Sequence, residues 1–149
     1  MTELSAQDRR LATILTYAGI LPPWLLLALA QVTDVGGPPL AALAYGAVIA
    51  SFVAGIQWST FLHTGGKTPV NLLLVSNAGA LVAWAMVPVS VWSMPLGFAG
   101  LAAVLAALLL VDERCFAAGV LPAWFRPLRR HATIGLGLGM LAWAVLGSA

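Results

Sequence analysis

The chain has 149 residues, of which 61% are hydrophobic and only 8% are charged. Soluble domains carry about 25% charged residues, so this composition excludes a water-facing surface over most of the molecule. The basic residues form no patch interleaved with aromatics, which argues against a nucleic-acid partner. The length suits one membrane domain over residues 1–149, and we predict an all-α, polytopic membrane helix bundle whose main partner is the lipid bilayer.

Five apolar stretches are candidates for transmembrane helices, which need about 20 residues each. In chain order, we predict spans over residues 11–32, 40–62, 70–89, 95–111 and 128–148. An interfacial elbow over 119–131, with Trp124 and Phe125 at headgroup level, precedes the last span. That span is the shortest, because from Ala132 it reaches only about 27 Å at 1.5 Å per residue. It therefore has to include residues 128–131.

The basic residues indicate the orientation of the bundle. All of them fall on one side of a five-span arrangement: Arg9, Arg10, Lys67, Arg114, Arg126, Arg129 and Arg130. The opposite side has Asp34 and no Lys or Arg. Because cytoplasmic loops are rich in Lys and Arg, we predict a cytoplasmic N-terminus in a bacterial inner membrane. The alternative is a signal peptide cleaved after Ala30, although the apolar run is longer than is usual for one.

Small residues recur at helical spacing in the second and last spans. The second span has Gly46, Ala50 and Ala54, and the last has Gly135 and Gly139. Such ladders let helices approach closely in lipid. We predict a central position for the second helix and packing within the chain, with a homodimer interface as the alternative.

Two consecutive prolines, Pro22 and Pro23, lie inside the first span. They remove the backbone donors that would normally reach the carbonyls of Ala18 and Gly19. In lipid these carbonyls need a neighbouring donor. We predict a kink here, which either shapes the helix or lines a pocket.

Depth counting at 1.5 Å per residue places Tyr17, Gln57 and Asn77 at one level of the cytoplasmic leaflet, with Trp58 beside them. Because an unpaired amide in hydrocarbon is costly, we expect Gln57 and Asn77 to face inward and to be hydrogen-bonded. This polar layer is either a set of interhelical hydrogen bonds or the wall of a pocket for a small amphipathic ligand.

Other reactive patterns are weak. His63 lies at the end of the second span without a nearby ligand-like histidine, and Gly66-Lys67-Thr68 lacks the remaining glycine and the strand of a phosphate loop. No paired carboxylates for acid/base chemistry can be assembled from the sequence. No Lys, Arg, Asp or Glu lies in the apolar core of a span, which argues against ion-coupled transporters. We therefore predict no enzymatic activity, no cofactor and no metal.

Several stretches resemble the transmembrane protein 69-like family: 17–22, 45–46, 52–58, 111–112 and 121–129. The resemblance implies a five-helix membrane domain of unknown function, found in bacterial inner membranes and in mitochondrial relatives, and supplies no catalytic residues. The first functional hypothesis is a non-enzymatic accessory or assembly component, with other membrane subunits as partners. The alternative is a binder or facilitator of a lipid or quinone at the polar layer.

Overall fold

A computed structural model of the protein describes residues 5–33 and 36–147. This part of the chain forms five α-helices: α1 (Ala6–Val32), α2 (Pro38–His63), α3 (Leu72–Trp92), α4 (Met94–Ala117) and α5 (Phe125–Leu146). The all-α architecture expected from the composition is confirmed. Asp34 and residue 148, on which the sequence analysis drew, lie outside the described residues.

Four helices of the described chain, α1 to α4, are long and apolar enough to cross a membrane. In α5 the arginines of the first two turns lower the hydropathy: Arg126, Arg129 and Arg130. Its 22 residues nevertheless extend about 33 Å at 1.5 Å per residue. That length is close to the ~30 Å of a bilayer hydrocarbon core. The fold is thus a membrane-type bundle of four clear membrane helices and a fifth of matching length.

The helix ends follow from local chemistry. The side chains of Asn71 and Ser93 accept hydrogen bonds from the first free backbone N–H groups of α3 and α4. The turn before α5 uses Gly119 at a φ of +70°, a region that glycine enters without strain. Because α5 begins at Phe125, the non-helical segment is shorter than the elbow expected over 119–131.

Helix α2 packs against each of the other four helices, which agrees with its predicted central position. Its small residues Gly46, Ala50 and Ala54 are buried. A Cβ atom at Gly46 would lie 2.7 Å from Sδ of Met140 on α5, a separation that real side chains do not tolerate. The glycine therefore leaves room for the flexible side chain of Met140 between α2 and α5.

Helix α5 is docked along most of its length. Near its start, Arg129 contacts Asp112 of α4, and near its end Trp143 stacks on Phe98 of α4 with ring centroids 5.4 Å apart. The indole Nε1 of Trp143 also donates a 2.8 Å hydrogen bond to the carbonyl of Pro23 on α1. The two contacts with α4 make α5 antiparallel to that helix, and the contact of His131 with Tyr17 together with that of Trp143 with Pro23 makes α5 parallel to α1.

The up-and-down order of the helices brings all the basic residues to one end of the bundle. We call this the basic end; it holds the starts of α1, α3 and α5 and the ends of α2 and α4. Its basic residues are Arg9, Arg10, Lys67, Arg114, Arg126, Arg129 and Arg130. The asymmetry seen in the sequence is therefore a property of the folded bundle.

Candidate functional site

The four residues of the predicted polar layer lie in three different places. Tyr17 is on the seam between α1 and α5, where its hydroxyl is 2.8 Å from Nδ1 of His131. Gln57 is buried against α4. Trp58 and Asn77 line a small recess of about 160 Å³ between α2 and α3. The structure does not assemble these side chains into one pocket wall.

The expectation that Asn77 faces inward is wrong. The residue is exposed, and its amide donates a 2.7 Å hydrogen bond to the carbonyl of Leu73 in its own helix. That local bond satisfies a donor of the amide without any contact to another helix. Gln57, in contrast, is 2% exposed and bonds across the bundle.

The two prolines of α1 lie within a continuous helix. The carbonyl of Gly19, which Pro23 leaves without its helical donor, accepts a 2.7 Å hydrogen bond from the hydroxyl of Tyr45 on α2. The carbonyl of Pro23 accepts from Trp143, as described above. Neighbouring helices thus donate hydrogen bonds to two backbone carbonyls at or near the prolines.

A buried ion pair lies at the centre of the basic end. Nε of Arg129 donates a 2.6 Å hydrogen bond to Oδ2 of Asp112, and both side chains are at most 3% exposed. Nε2 of Gln57 donates to the other carboxylate oxygen at 2.9 Å and to the carbonyl of Leu108 at 3.2 Å. Nη1 of Arg129 donates to Oγ1 of Thr133 at 2.7 Å. We call Gln57, Asp112, Arg129 and Thr133 the ion-pair cluster.

The expectation that the apolar cores of the spans hold no ionisable residue did not cover this cluster, because the structure encloses charges that lie outside those cores. Helix α4 continues six residues past position 111, where the fourth span was predicted to end, and α5 starts at Phe125. Both extensions are helical and packed together, so Asp112 and Arg129 are enclosed. A buried pair of opposite charges is tolerated because each ion compensates the other and is hydrogen-bonded.

The cluster is not fully satisfied within the protein. Among the described residues, Nη2 of Arg129 has no hydrogen-bonding partner, and neither has Oε1 of Gln57. A buried donor without an acceptor costs free energy comparable to a lost hydrogen bond. Arg129 therefore retains hydrogen-bonding capacity that the described protein groups do not use.

A second set of charges covers the cluster on the exposed side. Oε1 and Oε2 of Glu113 accept hydrogen bonds from the guanidinium groups of Arg126 and Arg130, with shortest distances of 2.6 Å to each. The guanidinium of Arg9 lies over the ring of Trp124, 5.7 Å from its centroid. These contacts tie α1, α4 and α5 together at the basic end.

A cavity of about 410 Å³ lies between α1, α2 and α5, and we call it the lateral cavity. Its lining is apolar except for Thr16 and Arg129. Phe125 and Arg129 lie nearest the basic end, and Leu136 lies about 16 Å deeper along α5, counting 1.5 Å per residue from Phe125. The volume falls within the roughly 300–1,000 Å³ of small-molecule sites.

The lateral cavity opens toward the lipid between α1 and α2. Two of its lining residues, Leu15 and Phe52, are also among the most exposed large apolar residues, at 62% and 69%. Closer to the middle of the bundle, the Tyr45–Gly19 hydrogen bond holds α1 and α2 together. We call the lipid-facing side of the cavity, at Leu15 and Phe52, the side entrance.

The described residues contain no group of three or more His, Cys, Asp and Glu side chains arranged to hold a metal ion. His63 bonds the carbonyl of Ser59 in its own helix at 2.8 Å, and His131 bonds Tyr17 of α1. The sole cysteine, Cys115, is buried. The chemistry that this arrangement offers is hydrogen bonding from a buried guanidinium beside an apolar cavity.

Residues 9–145 match the family described as "Protein of unknown function (DUF3429)". The chain belongs to this family. The match covers α2, α3 and α4 completely and omits only residues 6–8 at the start of α1 and residue 146 at the end of α5. No curated protein and no solved structure matches the chain. The family assignment therefore supports a membrane-type domain of unknown function without naming an activity.

Within this DUF3429 member, sequence reasoning missed the two residues that organise the site. Asp112 was placed just beyond the predicted end of the fourth span, and Arg129 at the start of the last span among the basic residues of one side, with no link between the two. A signal was present, since both lie in stretches that carry the family resemblance, 111–112 and 121–129. Their opposite charges and their positions at facing helix ends would have indicated a pair.

Proposed function

We propose that this protein crosses the bacterial inner membrane five times, with its N-terminus in the cytoplasm, and binds one amphipathic small molecule in its lateral cavity. The topology is supported by α5, which packs along α4 from Arg129 to Trp143, and by the basic end. The stretches that resemble the transmembrane protein 69-like family lie in α1, α2, α4 and the start of α5.

The ligand-binding proposal rests mainly on one observation: the lining of an apolar cavity of about 410 Å³ includes the side chain of a buried arginine, Arg129. Ligand sites typically combine apolar walls with a few placed polar groups that fix orientation. Here the polar group lies at the end nearest the cytoplasm and the apolar wall extends toward the middle of the bundle. That polarity matches a molecule with a polar head and a hydrocarbon tail.

The side entrance between Leu15 and Phe52 fits a ligand that comes from the bilayer. A hydrocarbon chain in the cytoplasmic leaflet already lies parallel to the helices, at the depth that the lateral cavity covers. It therefore enters without crossing water, and its head group reaches the level of Arg129. This differs from the predicted layer of Tyr17, Gln57, Trp58 and Asn77, of which none lines the lateral cavity.

We keep the absence of enzymatic activity as part of the proposal, because the ion-pair cluster binds its own groups and presents no acid/base pair to the cavity. The accessory or assembly role stays a prediction. It expects other membrane subunits to co-elute with the protein after mild solubilisation. A protein that elutes alone with a bound small molecule favours the ligand-binding role instead.

The proposal is tested by native mass spectrometry of the protein purified from its membrane in mild detergent. We expect a retained adduct with the mass of a single small amphiphile. Ala132 lines the lateral cavity, so Ala132→Phe should fill it and remove the adduct. The matched control is Ala107→Phe, which adds the same ring to an exposed position of α4 and should leave the adduct in place. Absence of any adduct, or its survival in Ala132→Phe, would contradict the proposal.

A further inference from the structure

Helix α3 lies at the edge of the bundle, where it contacts α2 and α4 and no other helix of the described chain. Its buried residues are Leu72, Ser76, Ala83 and Ser90. We call the opposite side the outer face of α3; it is exposed along the whole helix and consists of Leu74, Asn77, Leu81, Trp84, Pro88 and Val91. In a membrane this face meets either lipid or another membrane helix.

Asn77 is a costly residue for a face that meets only lipid. It is exposed, and it lies about 8 Å along the helix axis from Leu72, counting 1.5 Å per residue. One N–H of its amide donates to the carbonyl of Leu73, which leaves the second N–H and the acceptor Oδ1 without a bond to the described part of the bundle. Polar groups inside a membrane are unfavourable, and they often hydrogen-bond to a neighbouring helix. The outer face of α3 thus offers both a donor and an acceptor.

Trp84 also favours a protein neighbour. It is 65% exposed and lies about 18 Å from Leu72, near the middle of the helix. Tryptophan in membrane proteins is enriched at the membrane–water interface, not at this depth, and it is common where proteins contact each other. On the outer side of α1, in contrast, Tyr17 and Trp24 hydrogen-bond to α5. The exposed polar groups of α1 are therefore satisfied within the bundle, whereas the amide of Asn77 is available to a neighbour.

The recess beside Asn77 has room for a side chain of that neighbour. It measures about 160 Å³, and Gly55 and Trp58 of α2 form its other side. This volume is below the roughly 300–1,000 Å³ of small-molecule sites. A Cβ atom at Gly55 would meet no atom within 4 Å, so the surface is open there. The recess therefore suits an inserted side chain better than a separate ligand.

From these observations we infer that the outer face of α3 binds the same face of a second copy of this chain, in a homodimer whose twofold axis runs along the membrane normal. Copies inserted in the same orientation present each residue at the same depth, so the two Asn77 side chains lie opposite each other. An amide both donates and accepts, and it is therefore complementary to itself. A different subunit would have to supply such a group at that depth. Helix α3 has no charged side chain, so no like charges meet along the contact.

This dimer is independent of the ligand proposed for the lateral cavity, which lies between α1, α2 and α5. Oxidative cross-linking in native membranes tests it. The sole cysteine, Cys115, is replaced by alanine, and a single cysteine is introduced as Leu74→Cys or Leu81→Cys. Each should form a disulfide with its own copy and give a product of twice the monomer mass. The matched control is Ala107→Cys, at an exposed position of α4 about 15 Å from its end, close to the depth of Leu81. It should stay monomeric.

A second measurement addresses the amide itself. Asn77→Leu removes the amide and leaves the outer face apolar. Energy transfer between labelled copies, diluted with lipid in vesicles, gives the dissociation constant of the dimer. We expect Asn77→Leu to raise it about tenfold, a factor equivalent to about 1.4 kcal/mol. Asn77→Gln keeps an amide and should retain most of the affinity.

The outcomes decide between the possible neighbours. Absence of a cross-link at both Leu74→Cys and Leu81→Cys, or equal cross-linking of the Ala107→Cys control, overturns the dimer and leaves the face to lipid. A product whose mass is not twice that of the monomer identifies a different subunit and overturns the second copy as the occupant. An affinity that Asn77→Leu leaves unchanged or raises overturns the amide pair on which the contact rests.

Discussion

Nε of Arg129 lies 2.6 Å from Oδ2 of Asp112, although the two residues are on different helices and neither side chain is more than 3% exposed. This pair joins the start of α5 to the end of α4 and places an arginine in the wall of the lateral cavity. This contact therefore affects both the stability of the bundle and the proposed binding site. Mutations of the pair can separate its effect on stability from its effect on binding.

The first prediction concerns the ion pair. Arg129→Met leaves the carboxylate of Asp112 buried without its cation, so we expect a loss of about 3–5 kcal/mol in the free energy of unfolding. Adding Asp112→Asn removes the uncompensated charge and should restore most of that loss. The measurement is unfolding of the purified protein in detergent. Equal stability of Arg129→Met and the double variant would show that the charges are not coupled.

The second prediction concerns the hydrogen bond from Tyr45 to the carbonyl of Gly19. Tyr45→Phe should cost about 1 kcal/mol, a typical value for a hydrogen bond between membrane helices. In the Pro23→Ala background the cost should shrink, because residue 23 then has an N–H that can reach the carbonyl of Gly19. A double-mutant cycle measures this coupling. An identical cost in both backgrounds would rule out the proposed substitution of one donor for the other.

The third prediction uses two glycines of α5. A Cβ atom at Gly135 would lie 2.6 Å from Cγ2 of Ile20, whereas a Cβ at Gly137 meets no atom within 4 Å. Gly135→Ala should therefore lower the thermal stability, and Gly137→Ala should leave it unchanged or raise it because alanine favours the helix. Ile20→Ala should rescue Gly135→Ala by making space. Equal melting temperatures for the two glycine variants would contradict this packing.

The fourth prediction concerns topology. If α5 spans the membrane, a tag fused after the C-terminus lies on the opposite side from an N-terminal tag. Protease protection of sealed inverted vesicles measures this, with Lys67→Cys labelling as the marker for the cytoplasmic side. Both tags on the same side would mean four spans, with α5 lying against the bundle without crossing.

The helices themselves could be predicted from the sequence, because lipid leaves hydropathy as a direct signal of each span. The role of Tyr45 could not. The prolines showed that the carbonyl of Gly19 needed a donor, but which helix supplies it depends on how α1 and α2 pack. The donor could be named only once the fold was known.

The site was harder to predict than the fold for a related reason. Depth counting placed Tyr17, Gln57 and Asn77 at one level, but it gives no information on the direction in which each side chain leaves its helix. The buried ion pair was not predicted, because counting charges treats Arg129 as a water-facing residue. Its partner, Asp112, is 17 positions away in the sequence, so no local pattern connects the two.

The central claim is that the lateral cavity holds an amphiphile oriented by Arg129. A crystal structure of the protein, grown from a lipid mesophase after mild purification, tests this most directly. We expect continuous density for a single chain between Leu15 and Phe52, with its polar end at the level of Arg129. A cavity closed by α1, or a chain whose polar end lies away from Arg129, would contradict it.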